Sequence, residues 1–243
     1  MISKIHILSI PIANVSRTEA CQWVFQQLEK GKSAMIATAN AEMVMQAQQN
    51  EVLATILQHA DLVVPDGAGV LWAAEQQGKQ FKERVTGVDL ACMLLAEAAA
   101  RQTPVYLLGS AEGIARQVAS NVENKFGAAF VVGTHSGFFT SAEEKKIIEE
   151  IKRKKAKLVF VALGVPKQEI WIQEHLSQLE NCVCMGVGGT FDVLAGKAKR
   201  APHWMQQNRL EWLYRLYKEP TRFKRMLSLP NFVIAVKKQQ RNK

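Results

Sequence analysis

The sequence predicts an α/β protein: a mainly parallel β-sheet flanked by helices, followed by a helical carboxyl-terminal appendage. Three observations predict it. Short apolar, β-rich runs alternate with helix-patterned segments from Ala34 to Val187. Strand starts recur about 25 residues apart with helices between them, the arrangement of βαβ units. Beyond Gly196 the pattern changes to basic, aromatic-rich helical stretches broken by Pro220 and Pro230. The chain therefore divides into a body over 1–195 and an appendage over 196–243.

The elements follow in order. Ile5 to Ile12 is apolar and reads as a first strand; it is short, interrupted by His6 and Pro11, and lacks the small-residue cleavage site of a signal peptide. Ser16-Arg-Thr-Glu19 has capping-box spacing and Gly31 closes the apolar period, so a helix is expected over about 17–30. Ala34 to Thr38 reads as a strand ending on Thr38-Ala-Asn40. Two helical stretches, over about 41–48 and 51–59, place Met43, Met45, Val52, Leu53, Ile56 and Leu57 in the core. Leu62 to Val64 is a short buried strand, ended by Pro65 and Gly67. After Gly87 an alanine- and leucine-rich helix runs to about Arg101. Further strands are expected at Val105–Leu108, Phe130–Val132, Leu158–Val161 and Val183–Val187. One intervening helix opens with a second capping box at Ser141-Ala-Glu-Glu144, and the charge-dense Glu149 to Lys157 reads as a solvated helix end.

The 243 residues are 48% hydrophobic and 22% charged, which suits a globular chain able to bury a sizeable core and argues against disorder. No apolar run is long enough to span a bilayer as a helix. Charge is unevenly distributed. Residues 195–243 hold 13 Lys/Arg against two Glu, a net +11, whereas residues 1–194 hold 18 against 20. Such a tail suits an anionic partner, either a membrane surface or a nucleic acid. Cys21, Cys92, Cys182 and Cys184 lack zinc spacing; Cys182 and Cys184 share one face of a strand as reduced core thiols do, which points to the cytosol. No D-x-D pair occurs and the five histidines are scattered, so no divalent-metal site is expected.

Chemistry concentrates at the predicted carboxyl ends of the strands, where open α/β sheets bind ligands. Asp66 follows the strand at Leu62, and a carboxylate there can accept a proton from a bound hydroxyl. It can equally cap a helix starting at Gly67. Thr38 and Asn40 end the neighbouring strand. Gly109-Ser-Ala-Glu-Gly113, Gly164-Val-Pro-Lys-Gln168 and Gly186-Val-Gly-Gly189 are turns that let a phosphate approach backbone N–H groups. None is a dinucleotide fingerprint or a Walker A loop, which disfavours a nicotinamide-dependent oxidoreductase. Together with Asn40, Asp66, Arg84 and Gln168 they suit a nucleotide-type ligand. Without a metal, a departing diphosphate needs a cation, and Arg84 is the candidate. In the tail, Trp204, Leu210, Trp212, Leu213, Leu216 and Tyr217 accompany Arg215, Arg222 and Arg225. Cations and aromatics on short amphipathic helices suit an anionic lipid surface, while the same apolar residues could pack onto the body.

These residues in this order resemble the WecG/TagA/CpsF family of bacterial glycosyltransferases. The resemblance spans Thr38-Ala-Asn40 to Arg225. It is carried by Pro65-Asp-Gly-Ala-Gly69, Arg84-Val-Thr-Gly-Val-Asp89, Gly164-Val-Pro-Lys-Gln-Glu169, Gly186-Val-Gly-Gly-Thr-Phe-Asp192, Arg200-Ala-Pro, Leu210-Glu-Trp-Leu-Tyr-Arg215 and Glu219-Pro-Thr-Arg222. Arg209 stands where the pattern has a glycine. The resemblance implies a Rossmann-like α/β body and inverting transfer of N-acetylmannosamine from its UDP donor to polyprenyl-diphosphate-linked GlcNAc, the step that builds the wall teichoic acid linkage unit. The uronic-acid donor is the close alternative; a nucleotide-binding module whose basic tail binds nucleic acid is the distant one. By the same implication Asp66 is the base, and Thr38, Asn40, Arg84 and Gln168 position sugar and diphosphate. Gly109, Ser110, Gly188, Gly189 and Asp192 would hold the UDP, and Arg215, Arg222 and Arg225 would reach over the site. No cofactor or metal is implied beyond the donor itself. The enzyme is expected on the cytoplasmic face of the plasma membrane, held by its tail, with self-association possible off the membrane.

Overall fold

The computed structural model describes residues 2–127, 129–208, 210–218 and 228–241. The chain opens with strands β1 (Lys4–Ile7) and β2 (Ile10–Ala13), then runs through helix α1 (Arg17–Glu29), β3 (Ala34–Ala39), α2 (Ala41–Gln49), α3 (Glu51–His59), β4 (Leu62–Pro65) and α4 (Ala68–Gln76). It continues with α5 (Gly87–Ala100), β5 (Val105–Gly109), α6 (Ile114–Phe126), β6 (Val131–His135), α7 (Ser141–Arg153), β7 (Leu158–Ala162), α8 (Lys167–His175), β8 (Val183–Gly186) and α9 (Thr190–Leu194). The appendage contributes α10 (His203–Gln207), α11 (Glu211–Lys218) and α12 (Ser228–Arg241).

Strands β3 to β8 form one six-stranded sheet in the order β4-β3-β8-β7-β5-β6, every pair parallel. The apolar runs dictate this. A parallel sheet covered by helices on both faces has no polar face, so its strands read as continuous hydrophobic segments. Alternation assigns each side chain to a face. Met35, Ala37, Tyr106, Leu108, Val159, Val161 and Cys184 join one core; Ala34, Ile36, Val105, Leu107, Leu158, Phe160, Val183 and Met185 join the other. Helices α1, α5 and α6 cover the second core, and α2, α3, α4, α7, α8 and α12 the first. Each fully buried aliphatic side chain contributes about 1.5–3 kcal/mol, so the two cores together dominate the stabilisation.

Three expectations need correction. Val52, expected in the core, lies on the exposed side of α3. The apolar stretch at the amino terminus is not one strand but an antiparallel hairpin, with Ile7 opposite Ile10 and Leu8 turning the chain at φ 54°. The second capping box belongs one residue earlier. Thr140 caps α7, its N–H donating to Glu143 Oε2 at 2.7 Å while its hydroxyl accepts from the Glu143 N–H at 3.3 Å. Glu144 instead stands 3.2 Å from His175 Nε2. The first capping box, Ser16 with Glu19, forms as its spacing requires.

The segment 196–243 does two different things. Trp204, Trp212, Leu213 and Tyr217 on α10 and α11 are exposed, so they do not pack onto the body. Helix α12 does: Phe232 and Val236 are buried in the first core, with the Phe232 ring 6.5 Å from that of Trp72. No helix among the described residues is long and apolar enough to cross a membrane.

Candidate active site

The carboxyl ends of β3, β4, β5, β7 and β8 open on a single cleft of about 1340 Å³. Its lining includes Thr38, Asn40, Asp66, Ser110, Gln168, Gly188, Gly189 and Asp192, residues the sequence scatters over 155 positions. At its far side Tyr214 and Lys218 of α11 reach the same cleft.

Asp66 is held by the two strands beneath it. Its N–H donates to the Ala39 carbonyl at the end of β3, 2.9 Å away, so the turn after β4 is tied to its neighbour. Helix α4 begins at Ala68 with Gly67 as its N-cap and takes no side-chain cap, so the capping role open to Asp66 in the sequence is not the one it has. Gly87 at the start of α5 lies against the pair of polar groups: a Cβ there would stand 3.6 Å from Thr38 Oγ1 and 3.7 Å from Asp66 Oδ2. Asn40 caps α2, its Oδ1 accepting from the Met43 N–H at 2.9 Å.

Gln168, in the first turn of α8, braces the loop after β8. Its Oε1 accepts from the Gly188 N–H at 3.0 Å and its Nε2 donates to Glu169 Oε1 at 2.7 Å. Gly186 must be glycine for this brace to fit, since a Cβ there would come within 2.7 Å of Gln168 Nε2. Ser110 ties the loop after β5 to α9 by donating to Asp192 Oδ1 at 3.2 Å. The preceding Gly109 is outside the lining; its φ of +123° and the Ala162 backbone 2.5 Å from any Cβ make it a packing position.

Arg84 stands behind Asp66 rather than in the cleft. Its Nε donates to the Asp66 carbonyl oxygen at 2.7 Å and its Nη2 to Glu211 Oε2 at 2.7 Å. The cations that line the cleft are Lys167, Lys197, Lys199, Arg200 and Lys218. The uncapped amino termini of α4 and α8 open beside the lining residues Asp66 and Lys167, adding partial positive charge. Five carboxylates, those of Glu42, Asp66, Glu144, Glu174 and Asp192, line the cleft beside these cations. The side chain of Arg215, and Arg209, Arg222 and Arg225 entirely, lie outside the described residues.

Sequence reasoning missed three groups. Arg200 lines the cleft and grips Asp89 with both terminal guanidinium nitrogens, Nη1 donating to Oδ1 at 2.5 Å and Nη2 to Oδ2 at 2.8 Å. Burial raises the Asp89 carboxyl, but the Arg200 and Thr86 hydrogen bonds outweigh it and hold the group below its ordinary range. Glu169 is fully buried, its Oε2 has no hydrogen-bond partner, and burial pushes its pKa up to about 7. Glu211, on the appendage, is buried beside Arg84 and Arg200. All three occur inside motifs already singled out; the pairing of Arg200 with Asp89 and of Glu211 with Arg84 across the fold has no local signature.

Comparison with known proteins converges on one family. The model of the glycosyl transferase WecG/TagA/CpsF family matches residues 5–243. A Bacillus spizizenii protein named N-acetylglucosaminyldiphosphoundecaprenol N-acetyl-beta-D-mannosaminyltransferase is 36% identical over 214 residues, 88% of this chain and 82% of that one. Proteins of the same name from Bacillus subtilis and Staphylococcus aureus are 31% and 29% identical, each over 98% of this chain and over 92% and 94% of their own. With the strand-end motifs gathered around one cleft and the family model matching nearly the whole chain, the chain belongs to the WecG/TagA/CpsF family of glycosyltransferases.

Proposed function

We propose that this glycosyltransferase moves N-acetylmannosamine from UDP-N-acetylmannosamine to GlcNAc-diphospho-undecaprenol, with inversion at the transferred carbon. The names of the relatives support the transferred sugar and the acceptor, and nothing favours the uronic-acid donor or a nucleic-acid partner. The observation that carries the mechanism is the position of Asp66, at the end of β4 and facing the cleft it shares with Thr38 and Gln168.

Asp66 takes the proton of the acceptor hydroxyl as its oxygen attacks the anomeric carbon from the face opposite the leaving group. The bond from that carbon to the UDP β-phosphate oxygen breaks, and UDP departs with the electron pair. Its developing charge is met by Lys167, Arg200 and the amino terminus of α8. Thr38 and Asn40 orient the sugar, and the Gly188–Gly189 turn with Ser110 and Asp192 holds the nucleotide. The exposed Trp204, Trp212, Leu213 and Tyr217, within the basic segment 196–243, rest on the anionic cytoplasmic face of the membrane, where the lipid acceptor lies.

A radiolabelled transfer assay tests this reading. UDP-N-acetylmannosamine and its uronic acid are compared as donors to a water-soluble analogue of the acceptor. Transfer from the first, at least tenfold faster, is expected; exclusive use of the second would overturn the donor assignment.

A further inference from the structure

Glu211 is the first residue of α11, and it is one of two acidic residues buried below a tenth of their surface among the described residues. A carboxylate taken out of water is costly unless it is paired. Here Oε2 accepts from Arg84 Nη2 at 2.7 Å, and Oε1 stands 3.7 Å from Arg200 Nε. Each arginine leads back to the cleft. Arg84 holds the main-chain carbonyl of Asp66, and the adjoining Val85 N–H donates to the Pro65 carbonyl at 2.8 Å. Arg200 holds Asp89, whose Oδ2 also accepts from the Thr86 hydroxyl at 2.7 Å, one residue before Gly87. Both ends of the turn system around the Asp66 carboxylate are thus tied to one side chain of the appendage.

We propose that Glu211 is a positioning residue for the transfer reaction: by fixing Arg84 it fixes the Asp66 carbonyl, and with it the direction in which the Asp66 carboxylate meets the acceptor hydroxyl. This rests on the reading of Asp66 as the base. The exposed aromatics of α11 lie on the same helix as Glu211, so docking the appendage both presents an apolar surface and completes the site. A carboxylate that merely glued the appendage to the body would change stability and membrane binding but not turnover per bound enzyme.

The test uses the full chain with Glu211→Gln, Glu211→Asp, Arg84→Ala and the double variant Arg84→Ala/Glu211→Gln. On the soluble acceptor, Glu211→Gln is expected to lose about 10–100-fold in kcat with donor KM within about twofold, the signature of a misplaced base. Glu211→Asp, which keeps the charge, should recover at least a third of the lost factor on a logarithmic scale. The double variant should be no slower than Arg84→Ala alone, because both substitutions cut the same link. Vesicle flotation of Glu211→Gln should match the wild type. Unchanged kcat in Glu211→Gln, an aspartate no better than glutamine, or losses that multiply in the double variant would each overturn the proposal. Wild-type enzyme without transfer would sink the functional reading instead. The link itself is then read without substrate: additive effects of the two single substitutions on the urea midpoint would overturn it, and non-additive effects are expected.

Discussion

Glu169 is fully buried and accepts a hydrogen bond from the Gln168 amide at 2.7 Å, while its second carboxylate oxygen has no partner. Gln168 in turn holds the Gly188 N–H, so the orientation of its amide depends on Glu169. One buried carboxylate therefore sets the shape of the loop assigned to the nucleotide.

That burial has a measurable pH dependence. The folded pKa, about 7, lies above the usual 4.5, so between those values the folded state holds a proton that the unfolded state has released. Stability contributed at Glu169 is full below pH 4.5, declines as pH rises through the window, and the penalty is complete above pH 7. Urea unfolding of wild type and Glu169→Gln between pH 4.5 and 8 should show the variant gaining roughly 1–3 kcal/mol relative to the wild type as pH rises. Parallel curves would contradict it.

The carboxyl-terminal helix is expected to be part of the folded body. Phe232→Ala, which empties a buried ring position against Trp72 and Gly69, should cost about 3–5 kcal/mol, whereas Ile234→Ala on the exposed side of α12 should cost under about 0.5 kcal/mol. Thermal melts of the two variants decide this. Removing everything after residue 196 would strip that packing as well, so loss of lipid binding in such a truncation cannot be read as loss of an anchor alone.

Point substitutions separate the two. Trp204→Ala with Tyr217→Ala removes exposed aromatic surface, 58% and 78% accessible, without touching the core. Flotation with anionic vesicles should fall at least fivefold while transfer to a soluble acceptor stays within about twofold. Flotation equal to that of the wild type would remove these side chains from the membrane contact.

Chelation is expected to leave the reaction intact. The chain has no D-x-D pair, and in the proposed mechanism the leaving diphosphate is met by cations of the cleft such as Lys167 and Arg200. EDTA should change the transfer rate by less than about twofold; a loss restored by magnesium would contradict this.

Much of the candidate site is legible because parallel strands buried on both faces stand out as apolar runs, with Thr38 among the last paired residues of β3 and Asn40, Asp66, Ser110, Gln168 and Asp192 beyond strand ends. What the sequence hid is tertiary. Arg84 turns away from the cleft because a carbonyl and a buried carboxylate 127 residues further on both accept from it. Arg200 meets Asp89 across 111 residues. The amino-terminal hairpin escaped notice because its turn uses Leu8 in a left-handed conformation, with no glycine or asparagine to mark it. The burial of Phe232 leaves no mark in the sequence either: an apolar stripe on a basic helix serves a protein core and a lipid surface equally well.

The most direct test of the account is single-turnover transfer by Asp66→Asn. The asparagine fits the same space and leaves the main-chain bonds to Ala39 and Arg84 in place, so the melting temperature should match the wild type while the rate falls by about 10²–10⁴-fold. A folded Asp66→Asn enzyme that transfers sugar within about threefold of the wild-type rate would show that the proton goes elsewhere.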